Sequence, residues 1–174
     1  MANTDKTKLG DWLSSRAVVT HGDTVIVDKT LTITVGGAQG SGDFVGVSST
    51  AMTFSDCARL LGGTGTIPRV LFVDGDLQAI SGELWLFDTA PTGLPLDNAA
   101  FTITDADAAR CIGVVPFNTY YASALNCVSP GIPLTPIVFQ CAAGSRDLYG
   151  AFVTRGTPTY TSGLPLFRLV VWQD

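Results

Sequence analysis

Few side chains in this sequence could carry out catalysis. The only histidine, His21, sits in Thr20-His21-Gly22-Asp23. A hydrolytic triad needs such a base beside a nucleophile on a sharp strand-to-helix turn, and no G-x-S-x-G elbow is present. The tetrapeptide reads instead as a turn between strands. Two Asp-x-Asp pairs, Asp74/Asp76 and Asp105/Asp107, have a spacing that could hold a hard cation or, farther apart, serve acid–base chemistry at a sugar. Each pair has a local structural task, the first at a turn and the second at a helix start. The further oxygen ligands of a calcium loop are missing. Cys57, Cys111, Cys127 and Cys141 show no C-x-x-C spacing, and with one histidine they make no zinc site. Residues 1–8 are polar and carry no apolar signal segment, so the thiols are expected to be free and buried. The glycine-rich run 36–42 contains no lysine and leads into the strand-like 43–47 rather than a helix, which excludes a phosphate cradle. The expectation is a protein that is not an enzyme and takes no metal or cofactor.

Composition narrows the class further. Charged residues are only 14% of the 174, hydrophobic residues 46%, and the mean hydropathy is +0.33. A typical chain has about a quarter of its residues charged. The longest charge-free run, 111–145, is interrupted by Pro116, Pro130, Pro133 and Pro136, so no membrane-spanning helix fits. A net charge of −5 with ten cations argues against a nucleic-acid partner. Fourteen Asp, one Glu (Glu83) and three Lys suit a chain rich in turns and poor in exposed helix. The expectation is a soluble β protein with much of its exterior covered by other molecules.

The positioning elements follow from hydrophobic period. Charges crowd the first 29 residues, which suggests an N-terminal arm (1–16) ahead of one domain (17–174). In the arm, Leu9, Trp12 and Leu13 share one face of a short helical turn, either tucked under the domain or anchoring a partner surface. Residues 30–35 alternate Thr with apolar side chains, a strand period. Further strands are expected at 43–49, 51–54, 67–73, 77–87, 114–121, 137–142, 148–154, 157–161 and 167–172. Asp74-Gly75 predicts a tight hairpin joining 67–73 to 77–87. On the second of these, Trp85 and Phe87 point outward and need a cover, expected from the second sheet or a neighbouring subunit. Thr104 as cap, with Asp105 and Asp107 in the first turn, predicts a two-turn helix near 105–112. The fold class is therefore all-β: a single-domain β-sandwich, jelly-roll-like, with one short helix. Trp85, Trp172, Tyr120, Tyr121, Tyr149 and Tyr160 are candidates for stacking on sugars.

Several linked segments resemble the small auxiliary head proteins of tailed bacteriophages. They are Gly62-Gly63-Thr64-Gly65-Thr66-Ile67, Leu84-Trp85-Leu86-Phe87-Asp88, Leu96-Asp97-Asn98-Ala99-Ala100-Phe101, the run 105–113 and the run 148–160. The likeness spans roughly 42–174. It implies a capsid cement (decoration) protein on the outside of the expanded phage head, bridging major capsid protein subunits. It also implies manufacture in the host cytoplasm and work as a homo-oligomer, with a trimer favoured. In that setting Leu9, Trp12 and Leu13 are the expected capsid contacts. The alternative is a head-fibre or receptor/glycan-binding β-sandwich module of the virion.

Overall fold

The computed structural model describes residues 23–33, 36–131, 133, 135–161 and 165–174. Among them are twelve strands and one helical turn: β1 (Thr24–Thr30), β2 (Asp43–Val45), β3 (Met52–Phe54), β4 (Thr64–Asp74), β5 (Gly82–Phe87), β6 (Ala99–Ala100), α1 (Asp105–Ala108), β7 (Cys111–Phe117), β8 (Tyr121–Ala122), β9 (Cys127–Gly131), β10 (Ile137–Gln140), β11 (Leu148–Thr154) and β12 (Leu166–Gln173). They form two six-stranded antiparallel sheets. The first runs β1-β12-β4-β9-β8, with β10 on the β9 side of β4. The second runs β6-β2-β11-β5-β7, with β3 beside β2 on β11. The protein is an all-β sandwich of two antiparallel sheets.

The core lies between the sheets, and aromatic rings from both meet at its centre. Phe72 of β4 stacks on Phe167 of β12 at 4.9 Å and meets Phe152 of β11 at 5.2 Å and Phe117 of β7 at 5.3 Å. All four are fully buried. Gly131 permits close packing here: a Cβ on it would stand 2.4 Å from the Phe117 ring.

Central strand β4 contains Pro68, a residue with no N–H to give a ladder. Its register with β12 explains how it is tolerated. Arg69 pairs with Val170 and Thr66 with Trp172, so Ile67 and Pro68 together oppose Val171. This is a bulge. On the other edge, β10 pairs with 64–67 and β9 with 70–74, so Pro68 falls in the gap between them.

Several expectations from sequence change. The expected hairpin at Asp74-Gly75 is absent: β4 pairs with β12, β9 and β10, whereas β5 pairs with β11 and β7 of the other sheet. The linker is an arch that crosses between the sheets. Buried Asp74 holds it, accepting hydrogen bonds from the backbone N–H groups of Asp76 (3.0 Å), Gln78 (2.8 Å) and Ala79 (3.1 Å). Leu77 and Ala79 take positive φ, 55° and 48°. Asp76 ties the arch to Thr161 by accepting from its N–H and hydroxyl.

The strand expected at 30–35 is not formed among the described residues: β1 lies before it and ends at Thr30. Leu31 and Ile33 keep the inward period outside the ladder, and residues 34–35 lie outside the described residues. The expected strand at 157–161 reduces to one bridge, Thr159 with Ala38. The helix near 105–112 is a single turn. Thr104 caps it, accepting from Asp107 N–H at 3.1 Å, but Cys111 already pairs with Phe87, so β7 ends it. The arm (1–16), with Leu9, Trp12 and Leu13, lies outside the described residues, as does His21.

Candidate docking face

The outer faces of the two sheets are treated differently. On the second sheet, Trp85 and Phe87 of β5, Ala151 and Tyr149 of β11 and Phe44 of β2 point away from the core. Leu94, Phe101 and Ile103, all from the segment joining β5 to α1, close over them. The cover is the chain itself, not the second sheet or a neighbour. Trp85 meets Phe101 at 5.2 Å and its indole N–H donates to Glu83 at 3.1 Å.

Fixed polar contacts hold the cover down. Asp107 accepts from Thr92 N–H (3.0 Å), Gly93 N–H (3.1 Å) and the Thr104 hydroxyl (2.9 Å). The Thr92 bond is the main reason its carboxyl is held below the ordinary carboxylate range. Asp97 accepts from Gly46 N–H at 3.0 Å, and Arg110 bridges Asp88 and Thr89. Asp74 and Asp76 thus serve the arch, Asp107 serves this clamp, and Asp105 stands in the first turn of α1. Among the described residues no group of three or more His, Cys, Asp or Glu is placed to hold a metal.

The outer face of the first sheet has no such cover among the described residues. Its rows follow from register. Ile26 neighbours Val170; Leu166, Val73, Val128 and Tyr121 make a second row; Trp172, Thr66 and Val138 make a third. Ile26 is 62% exposed, Val138 73%, Tyr121 68% and Trp172 44%. The middle of the face carries three charged side chains, Asp28, Arg168 and Arg69. Asp28 and Arg168 neutralise one another through two bonds of 2.8 and 2.7 Å. The Arg168 guanidinium holds the Asp28 carboxyl below its ordinary range. Four strand spacings of about 4.8 Å and seven residues at about 3.3 Å give a projected area of roughly 450 Å². Only part of that area is apolar, because Asp28, Arg168 and Arg69 interrupt the apolar rows.

Val138 continues the face around one side into a groove of about 650 Å³ between β7 and residues 133 and 135–138. The groove is lined by Ile112, Val114, Pro116 and Pro136. Its carboxylate, Glu83, is already engaged by Arg155 and Trp85, so the groove offers packing surface rather than reactive groups.

The candidate sugar-stacking aromatics do not converge. Tyr160 is buried, Tyr120 donates its hydroxyl to the Ile80 carbonyl, and Trp85 lies under Phe101. Trp172 and Tyr121 do share the outer face of the first sheet. They are separated by three strand spacings and seven residues of β4, roughly 27 Å. One sugar cannot bridge them.

Sequence reasoning missed this face, though a signal was present. In β12 the inward Phe167, Leu169 and Val171 alternate with outward Leu166, Arg168, Val170 and Trp172, so three of the four outward side chains are apolar. An antiparallel sheet with water on one face alternates apolar with polar. Compared with known proteins, the chain matches no protein-family model, no curated protein and no solved structure.

Proposed function

We propose that this chain is a structural virion protein, a capsid cement (decoration) protein that binds the outer surface of a phage head and stabilises contacts between major capsid protein subunits. The observation that carries the reading is the exposed apolar rows on the outer face of the first sheet, which no described residue covers, beside a second sheet covered by its own chain. A protein that works by adhesion needs area and shape rather than reactive groups. The low charge content and the resemblance to auxiliary head proteins support the same role. The chain acts without catalysis or cofactor, as a homo-oligomer on the capsid exterior after synthesis in the host cytoplasm. The arm, with Leu9, Trp12 and Leu13, adds a second contact to the shell.

The test is to purify intact particles of the virus that carries this gene and count this chain per major capsid subunit. A near-stoichiometric ratio is expected; absence from particles, or a dozen copies, refutes the cement role. With expanded shells lacking the protein, Val138→Glu is expected to weaken binding about tenfold, since burying a side chain of this size is worth about 1.5 kcal/mol or more. Leu96→Glu, an exposed position on the covering segment, is the control expected to bind normally.

A further inference from the structure

Edges of a β-sandwich invite pairing with other chains, and proteins blunt them by shortness, proline, bulges or charge. Most edges here are blunted. β6 and β8 are two residues long, β3 three and β10 four. β7 carries Pro116 and a register shift opposite Leu86 and Phe87. β1 differs. It is seven residues, Thr-Val-Ile-Val-Asp-Lys-Thr, without proline, glycine or bulge. One side pairs along its whole length with β12, and among the described residues nothing pairs with the other. Its charges are Asp28, already held by Arg168, and Lys29, which has no ion-pair partner among the described residues.

We infer that β1 pairs with β1 of a second copy, antiparallel about a two-fold axis through Ile26, joining the two first sheets into one twelve-stranded sheet. This register is self-complementary. Ile26 meets the partner's Ile26, Val25 meets the partner's Val27, and Asp23 meets the partner's Lys29. Thr24 stands opposite the partner's Asp28. Asp23 is solvent-exposed, and its 4.0 Å ion pair with exposed Arg59 leaves the carboxylate accessible to the partner's Lys29 as well. Moving the axis to Val27 would set Ile26 against the partner's Asp28 and Val25 against the partner's Lys29, apolar side chains facing charges. A two-fold interface needs one patch that complements itself, and β1 supplies it. Pairing also sets the outer faces of the two first sheets edge to edge, doubling their projected area to roughly 900 Å².

The test is the mass of the full chain in solution by sedimentation equilibrium over a range of concentrations. Wild type is expected to reach twice 18.2 kDa. Ile26→Lys opposes two ammonium groups at the axis and is expected to weaken the dimer at least tenfold, while its circular dichroism spectrum stays that of wild type because the site is exposed. Lys29→Asp is expected to weaken the dimer severalfold, and the double variant Asp23→Lys/Lys29→Asp to regain most of the loss. A monomeric or trimeric wild type, an Ile26→Lys dimer as tight as wild type, or a double variant no better than Lys29→Asp overturns the inference.

Discussion

Replacing Asp74 with alanine tests how the chain crosses between the sheets. The carboxylate sits at the end of β4, 1% exposed, and accepts from three N–H groups of the arch at 2.8–3.1 Å. Hydrogen bonds to a charged acceptor contribute about 1.5–3 kcal/mol each, and a buried donor left unmade costs about 1–3 kcal/mol. Water can reach part of this arch, so the three losses do not add in full, and about 3–5 kcal/mol is expected for Asp74→Ala. Asp74→Asn is the sharper variant. Its amide oxygen can stand where Oδ2 accepts from Gln78 and Ala79, but its NH2 then faces the Asp76 N–H, donor against donor. A loss of about 1–2 kcal/mol is expected. Urea titration followed by tryptophan fluorescence reads both, with an unchanged slope showing that the same surface unfolds. If Asp74→Ala costs less than about 1 kcal/mol at unchanged slope, the carboxylate does not hold the arch and the account of the crossover fails.

Acid should destabilise the fold through three carboxylates held below their ordinary range: Asp107 chiefly by the Thr92 N–H, Asp28 by Arg168 and Glu83 by Arg155. Because each is depressed in the folded state, its contribution is complete above the unfolded carboxylate range of about 4 and is lost as pH falls through the folded value. Melting temperature is therefore expected to drop below about pH 4, and Asp107→Asn to flatten that drop; superimposable acid limbs would remove Asp107 from the account. The four thiols are free, and burial pushes Cys57 up to about 12 and Cys141 up to about 11, with Cys127 and Cys111 also raised. A thiol reagent at pH 8 is expected to react slowly with the native protein and with all four cysteines in guanidinium; rapid native labelling of several would contradict the burial.

Much of the architecture was legible because strand period is a local signal. The stretch 148–154 is β11 to the residue, and 167–172 lies within β12. Thr104 was legible as a cap because Asp107 follows three residues later, but the helix length was not, because the pairing of Cys111 with Phe87 ended it. Strand β9 escaped notice because Pro130 and Gly131 read as breakers. Proline is tolerated on this outer strand, whose far neighbour β8 pairs only with Cys127 and Val128. The character of the first sheet's outer face was hidden for a related reason: a largely apolar strand in isolation looks buried on both sides.

The sequence by itself determined the all-β class, the alternation that points Phe72, Phe152 and Phe167 inward, and the scarcity of residues able to do chemistry. Only the tertiary structure decided that Asp74-Gly75 opens an arch rather than a hairpin, that residues between β5 and α1 cover one sheet, and that the other sheet is left uncovered among the described residues. The physical reason is that side-chain period fixes which face of a strand a residue occupies. What lies against that face, and which strand lies alongside, depends on pairings between residues far apart in the chain, such as Thr24 with Trp172 and Leu71 with Pro130.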